Sequence, residues 1–348
     1  MLREDIFDSK LSYLLYPLSL LYKIAVKMRL FVYKKGIIKK VKLPGFVVSV
    51  GNITVGGTGK TPMVIEIAQW AKEQGYKVAV LSRGYKGDYK GWLLVSDGVD
   101  LITSPKQSGD EPYLIANRLK GVIVAVSKNR YALGFYIWKY YGVNFFILDD
   151  GFQYFYLNRD VDIVLVNADK PFGNKRLLPS GPLREPINHI SRADICVITD
   201  GDHVPQELSA YNLSNLNAVY IAHYMAESLI FYHDSKMPIH ILQNKRVVGF
   251  AGISRPIRFK NLLYRLGAKV VFFKGFPDHY WFKEEDINEL IYQKNIRNAD
   301  FILTTEKDWV RIMKKDLNIG YIKVKLLIKD KDRFFDFIDK AYEKYKKK

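Results

Sequence analysis

Apolar runs at 46–51, 77–82, 122–126, 144–149, 162–167 and 193–199 recur along the first two thirds of the chain, each of strand length. Between them, 60–74, 110–119 and 128–141 carry apolar residues at helical spacing. Nearly continuous apolar strands alternating with helices predict an α/β fold whose mostly parallel sheet is covered on both faces. A second alternating block begins near Arg246. There "RVVGFAGI" predicts a strand, 255–266 a helix, "KVVFFKGF" a strand, 283–294 a helix and "DFILTT" a strand. An amphipathic, charge-rich helix is expected over about 331–346, and 201–217 is polar and irregular. No fixed-period repeat is present.

The amino-terminal pattern is different. Leu11 to Tyr22 is an uncharged run of 12 residues, too short for a bilayer span, which needs ~20. Past Pro17, residues Leu21, Ile24, Ala25, Met28, Phe31 and Val32 share one helical face, with Lys23, Lys27 and Lys34 opposite. That pattern fits a helix lying in a membrane interface, lysines toward acidic headgroups. The alternative is a helix packed on the protein's own core.

At 348 residues the chain can bury a sizeable core, in two expected domains. With 48% hydrophobic residues it is not a disordered chain. The single Cys196 excludes a disulfide framework and a multi-cysteine zinc site. A formal net charge of +18 calls for an anionic partner, and eight lysines or arginines between Lys23 and Lys42 have no acid among them.

Candidate chemistry starts at "VVSVGNITVGGTGKTPMVIEI", a strand running through a glycine-rich turn into a helix. Glycine backbones let successive N–H groups face one anion, and the following helix adds the positive end of its dipole. Thr54, Val55, Gly56, Gly57, Thr58, Gly59, Lys60 and Thr61 are the expected nucleotide-binding residues, Lys60 reaching the outer phosphates and the Thr61 hydroxyl a magnesium ion. The G-x-x-x-x-G-K-[ST] pattern wants glycine at 54, where Thr54 stands. "NFFILDDGFQ" ends an apolar strand in Asp149-Asp150, the kind of strand end that holds magnesium in phosphate-loop enzymes. One aspartate could handle metal while the other orients a neighbour.

Four further stretches have both a functional and a structural reading. Asp110 and Glu111 in "SGDEPYLIANRL" could be helix-start dipole partners. Alternatively Asp110 is a general base for an acceptor hydroxyl and Glu111 serves metal or nucleotide. His279 in "FPDHYWF" sits in an aromatic turn where a structural role is the ordinary one. The loops "LSRGYKG" and "PSGPLREP" carry Arg83, Lys86 and Arg184, suited to anion contact.

In this order GNITVGGTGKTP, LSRGYKG, SGDEP, DDGFQ, PSGPLREP, FAGIxxPxxF, FPDHYxF and TTEKD resemble the tetraacyldisaccharide 4′-kinase family of lipid A biosynthesis. The resemblance spans most of residues 10–315, and Thr54 is then a family trait. It implies transfer of the ATP γ-phosphate to the 4′-hydroxyl of tetraacyldisaccharide 1-phosphate, giving lipid IVA at the cytoplasmic face of the inner membrane. It implies a catalytic dyad of Asp110 and His279, with Lys60 assisting, and ATP and Mg2+ as cofactors. Thr61, Asp149, Asp150 and Glu111 are implied for metal, and Arg83, Arg184 and Glu185 for the lipid headgroup.

The expected organisation is a membrane-associated helix over 1–33, a P-loop kinase domain over 34–240, a smaller α/β domain over 241–330 that moves relative to it, and a C-terminal helix over 331–348. The expected partners are an anionic glycolipid and the inner membrane surface, with the chain acting as a monomer and no nucleic acid. The competing reading is a P-loop GTPase or metallochaperone-like switch protein. Against it, guanine selection uses N/T-K-x-D, and in "TTEKD" Thr305 is followed by Glu306. A nucleic-acid NTPase is a third reading, and no nucleic-acid module accompanies it.

Overall fold

The computed structural model describes residues 7, 10–209, 211, 216–231, 235–312 and 319–347. Residues 1–6, 8 and 9 of the expected amino-terminal segment, 210 and 212–215 of the irregular stretch, and Lys348 lie outside the described residues.

The fold is mixed α/β around one large, mostly parallel sheet. A turn of helix at Leu11–Leu14 leads into α1 (Tyr16–Lys34). Then follow β1 (Phe46–Asn52), α2 (Lys60–Glu73), β2 (Val78–Ser82), β3 (Trp92–Ser96), α3 (Asp110–Arg118), β4 (Ile123–Ser127), α4 (Arg130–Tyr141), β5 (Phe145–Asp149), β6 (Val161–Asn167), β7 (Ile195–Thr199) and β8 (Ala218–Ile230). The remainder is β9 (Lys236–Met237), β10 (Arg246–Ala251), α5 (Pro256–Arg265), β11 (Lys269–Gly275), α6 (Glu284–Ile296), β12 (Phe301–Thr305), β13 (Ile319–Ile328) and α7 (Lys331–Lys346). The strand order is β11-β10-β12-β13-β8-β7-β6-β1-β5-β2-β4-β3, with β9 on β8.

β1, β2, β4, β5, β6 and β7 are buried at every position, as strands covered on both faces must be. Phe46, Val48 and Val50 face a core shared with α2 and with Phe334, Phe335, Ile338 and Tyr342 of α7, so the last helix covers the first half of the sheet. Val47, with Leu133 and Ile137 of α4, builds the opposite core layer.

β8 and β13 determine where the site forms. β8 is 13 residues long. Its first part, Ala218–Ala222, pairs in parallel with β7, whose last partner there is Thr199. The rest runs past the end of β7 and pairs antiparallel with β13, Ile230 opposite Tyr321. β12 and β10 then follow the direction of β13. The carboxyl ends of the second block's strands therefore point back toward those of the first.

The amino-terminal helix docks by its polar side. The Ser19 hydroxyl donates to the Leu177 carbonyl (2.8 Å) and accepts from the Ser180 N–H, and the Tyr22 hydroxyl donates to the Arg184 carbonyl (3.0 Å). Ser12 and Ser19 are buried, whereas Leu14, Leu21, Ile24, Met28 and Phe31 are exposed. The stripe expected to share one face does so, apart from half-buried Val32, and it faces outward. Among the described residues no helix is long and apolar enough to cross a membrane.

Candidate active site

β1 ends at Asn52 and the chain turns through 53–59 before α2 begins at Lys60. Gly56 and Gly59 have φ of 109° and 90°, values that favour glycine. Gly59 has a second constraint, because a Cβ there would lie 2.0 Å from the Tyr224 hydroxyl. Position 54 needs no glycine. Thr54 is extended and bridged to Leu183, and the Val55 N–H donates to the Pro182 carbonyl. Thr58 is held from two sides: its hydroxyl accepts from Asn52 Nδ2 (2.8 Å) and its carbonyl from the Thr199 hydroxyl (3.1 Å). The loop is thus braced by its neighbours, with Lys60 and Thr61 in the first turn of α2.

β5 lies beside β1 and ends at Asp149. Asp150 follows with φ 51°, a left-handed conformation that Asp tolerates better than most residues. The turn separates the two carboxylates. Asp150 pairs with Lys60 Nζ at 3.6 Å and accepts both Arg184 Nη1 bonds at 2.7 and 2.9 Å. Burial opposes its charge, but Lys60 and Arg184 outweigh that and hold its carboxyl well below the usual range.

Asp149 accepts one bond from the Ser82 hydroxyl (2.9 Å), and its buried Oδ1 has no hydrogen-bond partner. Burial, with Glu111 and Asp150 nearby, pushes this carboxyl up to about 7. A buried, orphaned carboxylate oxygen between like charges suits a divalent cation. Among the described residues no three His, Cys, Asp or Glu side chains form a cage. That agrees with magnesium, which is typically held by one or two carboxylates plus substrate phosphates.

Asp110 and His279 come together. His279 Nδ1 lies 2.8 Å from Asp110 Oδ2, although the two are 169 positions apart. His279 has φ 62° and its N–H donates to the Gly252 carbonyl. Arg311 Nε is 3.6 Å from the same Asp110 oxygen. Burial disfavours the Asp110 charge, but the His279 hydrogen bond, Lys307 and Arg311 hold its carboxyl far below the ordinary value. Glu111 pairs with Lys307 Nζ (2.8 Å), which keeps its carboxyl low. At the other end of α3, Arg118 grips Glu306 with two donors and the Val324 carbonyl with one. One face of α3 is therefore clasped by residues following β12.

Arg83 lines the cleft between the two blocks, as do Tyr85 and Arg184. Glu185 lies beneath that wall. It is buried and accepts from Gln153 Nε2, His189 Nδ1 and Arg192 Nη2, so its carboxylate anchors the loop that carries Arg184. The cavity is about 1680 Å3, larger than the ~300–1,000 Å3 usual for one small ligand, and can take two substrates at once.

Several participants carry no signal of their own. Arg130, at the start of α4, is buried and donates to the Asp149 carbonyl (3.0 Å) and the Asp150 carbonyl (3.3 Å). Lys307, Asp308 and Arg311 belong to or follow "TTEKD". Asp308 is wholly buried, accepting from the Gly252 N–H and Arg311 Nη2. It is out of reach of a guanine base.

A family model described as Tetraacyldisaccharide-1-P 4′-kinase matches residues 11–343. The chain is 37% identical over 343 residues to the tetraacyldisaccharide 4′-kinase of Syntrophus aciditrophicus, covering 94% of this chain and 92% of that one. It is 36% identical over 312 residues to the enzyme of that name from Pelobacter propionicus, covering 89% and 86%. Among solved structures it resembles LpxK from Aquifex aeolicus in complex with ATP, with TM-score 0.79 and 34% identity over 95% of this chain and 99% of that one.

Proposed function

The chain belongs to the tetraacyldisaccharide-1-P 4′-kinase family, and on that basis we propose how its residues divide the work. It phosphorylates the 4′-hydroxyl of tetraacyldisaccharide 1-phosphate at the expense of ATP, giving lipid IVA in lipid A biosynthesis. ATP and Mg2+ are its cofactors. A GTPase or metallochaperone-like switch has no support from these relatives.

The loop from Thr54 to Thr61 holds the ATP phosphates on backbone N–H groups, with Lys60 neutralising the outer ones. Thr61 and the orphaned oxygen of Asp149 would hold magnesium, which would supply charge neutralisation when bound. Asp150 keeps Lys60 and Arg184 in position, and Glu111 does the same for Lys307. Arg83 and Arg184 meet the anionic headgroup. The bond from the γ-phosphorus to ADP breaks as the bond to the 4′-oxygen forms, and the hydroxyl proton passes to the Asp110–His279 pair. Asp110 takes the proton as general base, and His279 Nδ1, 2.8 Å from its carboxylate, orients it and shares the charge.

In organisation, 34–240 acts as the P-loop kinase unit, 241–330 as a smaller α/β unit that closes on it, and 331–348 as a helix that packs back on the first. Residues 1–33 associate with the cytoplasmic face of the inner membrane, the outward apolar stripe of α1 lying in the interface. One chain supplies every group named, so the working unit is a monomer.

What supports this most is that one cleft is lined by the glycine loop from the first block and by His279 from the second, and that His279 is bonded there to Asp110 of the first. The test is incubation of the full chain with labelled ATP, magnesium and tetraacyldisaccharide 1-phosphate. Labelled bisphosphate should form, and Lys60→Ala should lower its rate ~10²–10³-fold. A folded Lys60→Ala protein with normal turnover would overturn the role of the loop.

A further inference from the structure

α4 has an outer face that water does not explain. Arg130, Leu133, Gly134 and Ile137 turn inward, and Gly134 is packed so closely that a Cβ would meet Leu43 at 2.7 Å. On one flank and the outer side, spaced i, i+4, i+7, stand half-buried Tyr131 and exposed Phe135 and Trp138, with Lys139 outermost. Phe135 and Trp138 are exposed, and so are Tyr140 and Tyr141 at the end of the helix.

A run of rings joins this helix to α1. Half-buried Tyr33 of α1 meets buried Phe155 at 5.8 Å with the rings tilted, and the next residue, Tyr156, meets Tyr131 edge to face at 6.1 Å. Tyr131 then contacts Phe135 at 6.3 Å, and Phe135 contacts Trp138 at 5.3 Å. Cations lie over rings of both segments, Arg29 over Phe155 and Lys139 over Tyr140. No Asp or Glu occurs from residue 9 to 65 or from 112 to 148, so the two segments that build this side carry only positive charge. Tyr22 and Arg29 of α1, with Lys128 and buried Arg130 at the start of α4, line the catalytic cleft.

We propose that the aromatic outer face of α4 is a second membrane-contact surface, which seats on an anionic phospholipid bilayer beside α1. Amphipathic Tyr and Trp rings settle at headgroup depth, and lysines are drawn to acidic lipids. Both segments contribute residues to the cleft, so a lipid acceptor can keep its acyl chains in the bilayer while its sugar reaches Asp110 and His279. The proposal extends the membrane reading of α1, and the experiment separates the two.

Cys196 is buried and is the chain's single cysteine, so an environment-sensitive fluorophore can be attached at one introduced site. Phe135→Cys reports on α4, Met28→Cys on α1, and Tyr292→Cys on exposed α6 as the reference. Each full-length protein is mixed with phosphatidylcholine–phosphatidylglycerol vesicles carrying a nitroxide quencher at headgroup depth. The labels at 135 and 28 should be quenched and that at 292 spared. Separately, Phe135→Ser/Trp138→Ser should lower vesicle partitioning roughly tenfold with an unchanged melting temperature. Quenching at 28 without 135 overturns the proposal and leaves α1 standing. Quenching at 135 without 28 upholds it while the reading of α1 falls. Quenching at neither overturns both. A signal at 135 that follows protein concentration instead of lipid assigns the face to a second copy and also overturns it.

Discussion

Arg311 Nε stands 3.6 Å behind the Asp110 oxygen that His279 also contacts. This guanidinium is 1% exposed, donates to Asp308 Oδ1 (2.7 Å) and to the Gly252 carbonyl (3.1 Å), and leaves Nη1 unpartnered. The same Gly252 carbonyl accepts the His279 N–H. Arg311 thus joins both members of the pair to one turn of backbone. Arg311→Met would strand buried Asp308 and should cost ~3–5 kcal/mol of stability, the range for breaking a buried ion pair from one side. It should also lower kcat more than it raises KM for ATP. Urea unfolding and steady-state kinetics test this; unchanged stability would mean that Asp308 finds another partner.

Asp110 and His279 should behave as one unit. Asp110→Asn is expected to lower kcat ~10²–10⁴-fold, the scale of general base catalysis, with little effect on ATP affinity. His279→Ala should lower it less. The double variant should be far less impaired than the product of the two defects. A four-member cycle at saturating ATP decides, and multiplicative defects would mean two independent residues.

β1, β2, β4, β5, β6 and β7 were legible to within a residue or two because each is covered on both faces and reads as an unbroken apolar run, whereas half-exposed edge strand β3 was missed. β8 and β13 were not expected. They contain His223, Glu227, Lys323 and Lys325, because they bridge the blocks and are covered on both faces only in part. The loop around Gly56 and Gly59 was legible because left-handed backbone leaves a mark in sequence. Lys307 and Arg311 were not. A charged residue looks exposed until its partner, here Glu111 or Asp308, arrives from another element. Glu185 was implied for the headgroup by the family resemblance alone, and in the structure three donors from Gln153, His189 and Arg192 engage it from within.

Asp149 predicts a pH signature in the chelator-treated protein. Its carboxyl is raised to about 7 in the folded state, against about 3.9 for a free side chain. The folded state therefore holds this proton more tightly than the unfolded chain does. The resulting stability is complete below about pH 4 and is lost as pH rises through about 7, by an amount on the order of a few kcal/mol at most. Asp110 and Asp150, whose carboxyls are depressed, act oppositely, and their contribution is lost only as pH falls below the ordinary carboxylate range. Urea unfolding at several pH values between about 5 and 8 should show a decline that Asp149→Asn removes. Parallel curves for the two proteins would rule out Asp149 as its source. Magnesium should reverse the decline, since it replaces the proton on the same oxygen.

The two sides of α1 should separate membrane binding from catalysis. Its outward residues, Leu21 and Met28 among them, touch water, so Leu21→Glu/Met28→Glu should leave the melting temperature unchanged. It should move the protein from the vesicle-bound to the soluble fraction and raise KM for lipid presented in vesicles. The inward residues have another task. Ser19 and Tyr22 fasten the 177–184 loop through the carbonyls of Leu177 and Arg184, and that loop presents the Arg184 guanidinium to Asp150. Ser19→Leu should remove a buried hydroxyl and leave the Ser180 N–H unpaired, with the Leu177 carbonyl keeping only its bond from the Gly181 N–H, costing ~1–3 kcal/mol. It should lower kcat even with lipid in detergent, where membrane binding is irrelevant. Deleting residues 1–33 should produce both defects together. If Leu21→Glu/Met28→Glu still pellets with vesicles like the parent, α1 is not the anchor. If Ser19→Leu keeps full kcat in detergent, the loop holds Arg184 without help from the helix.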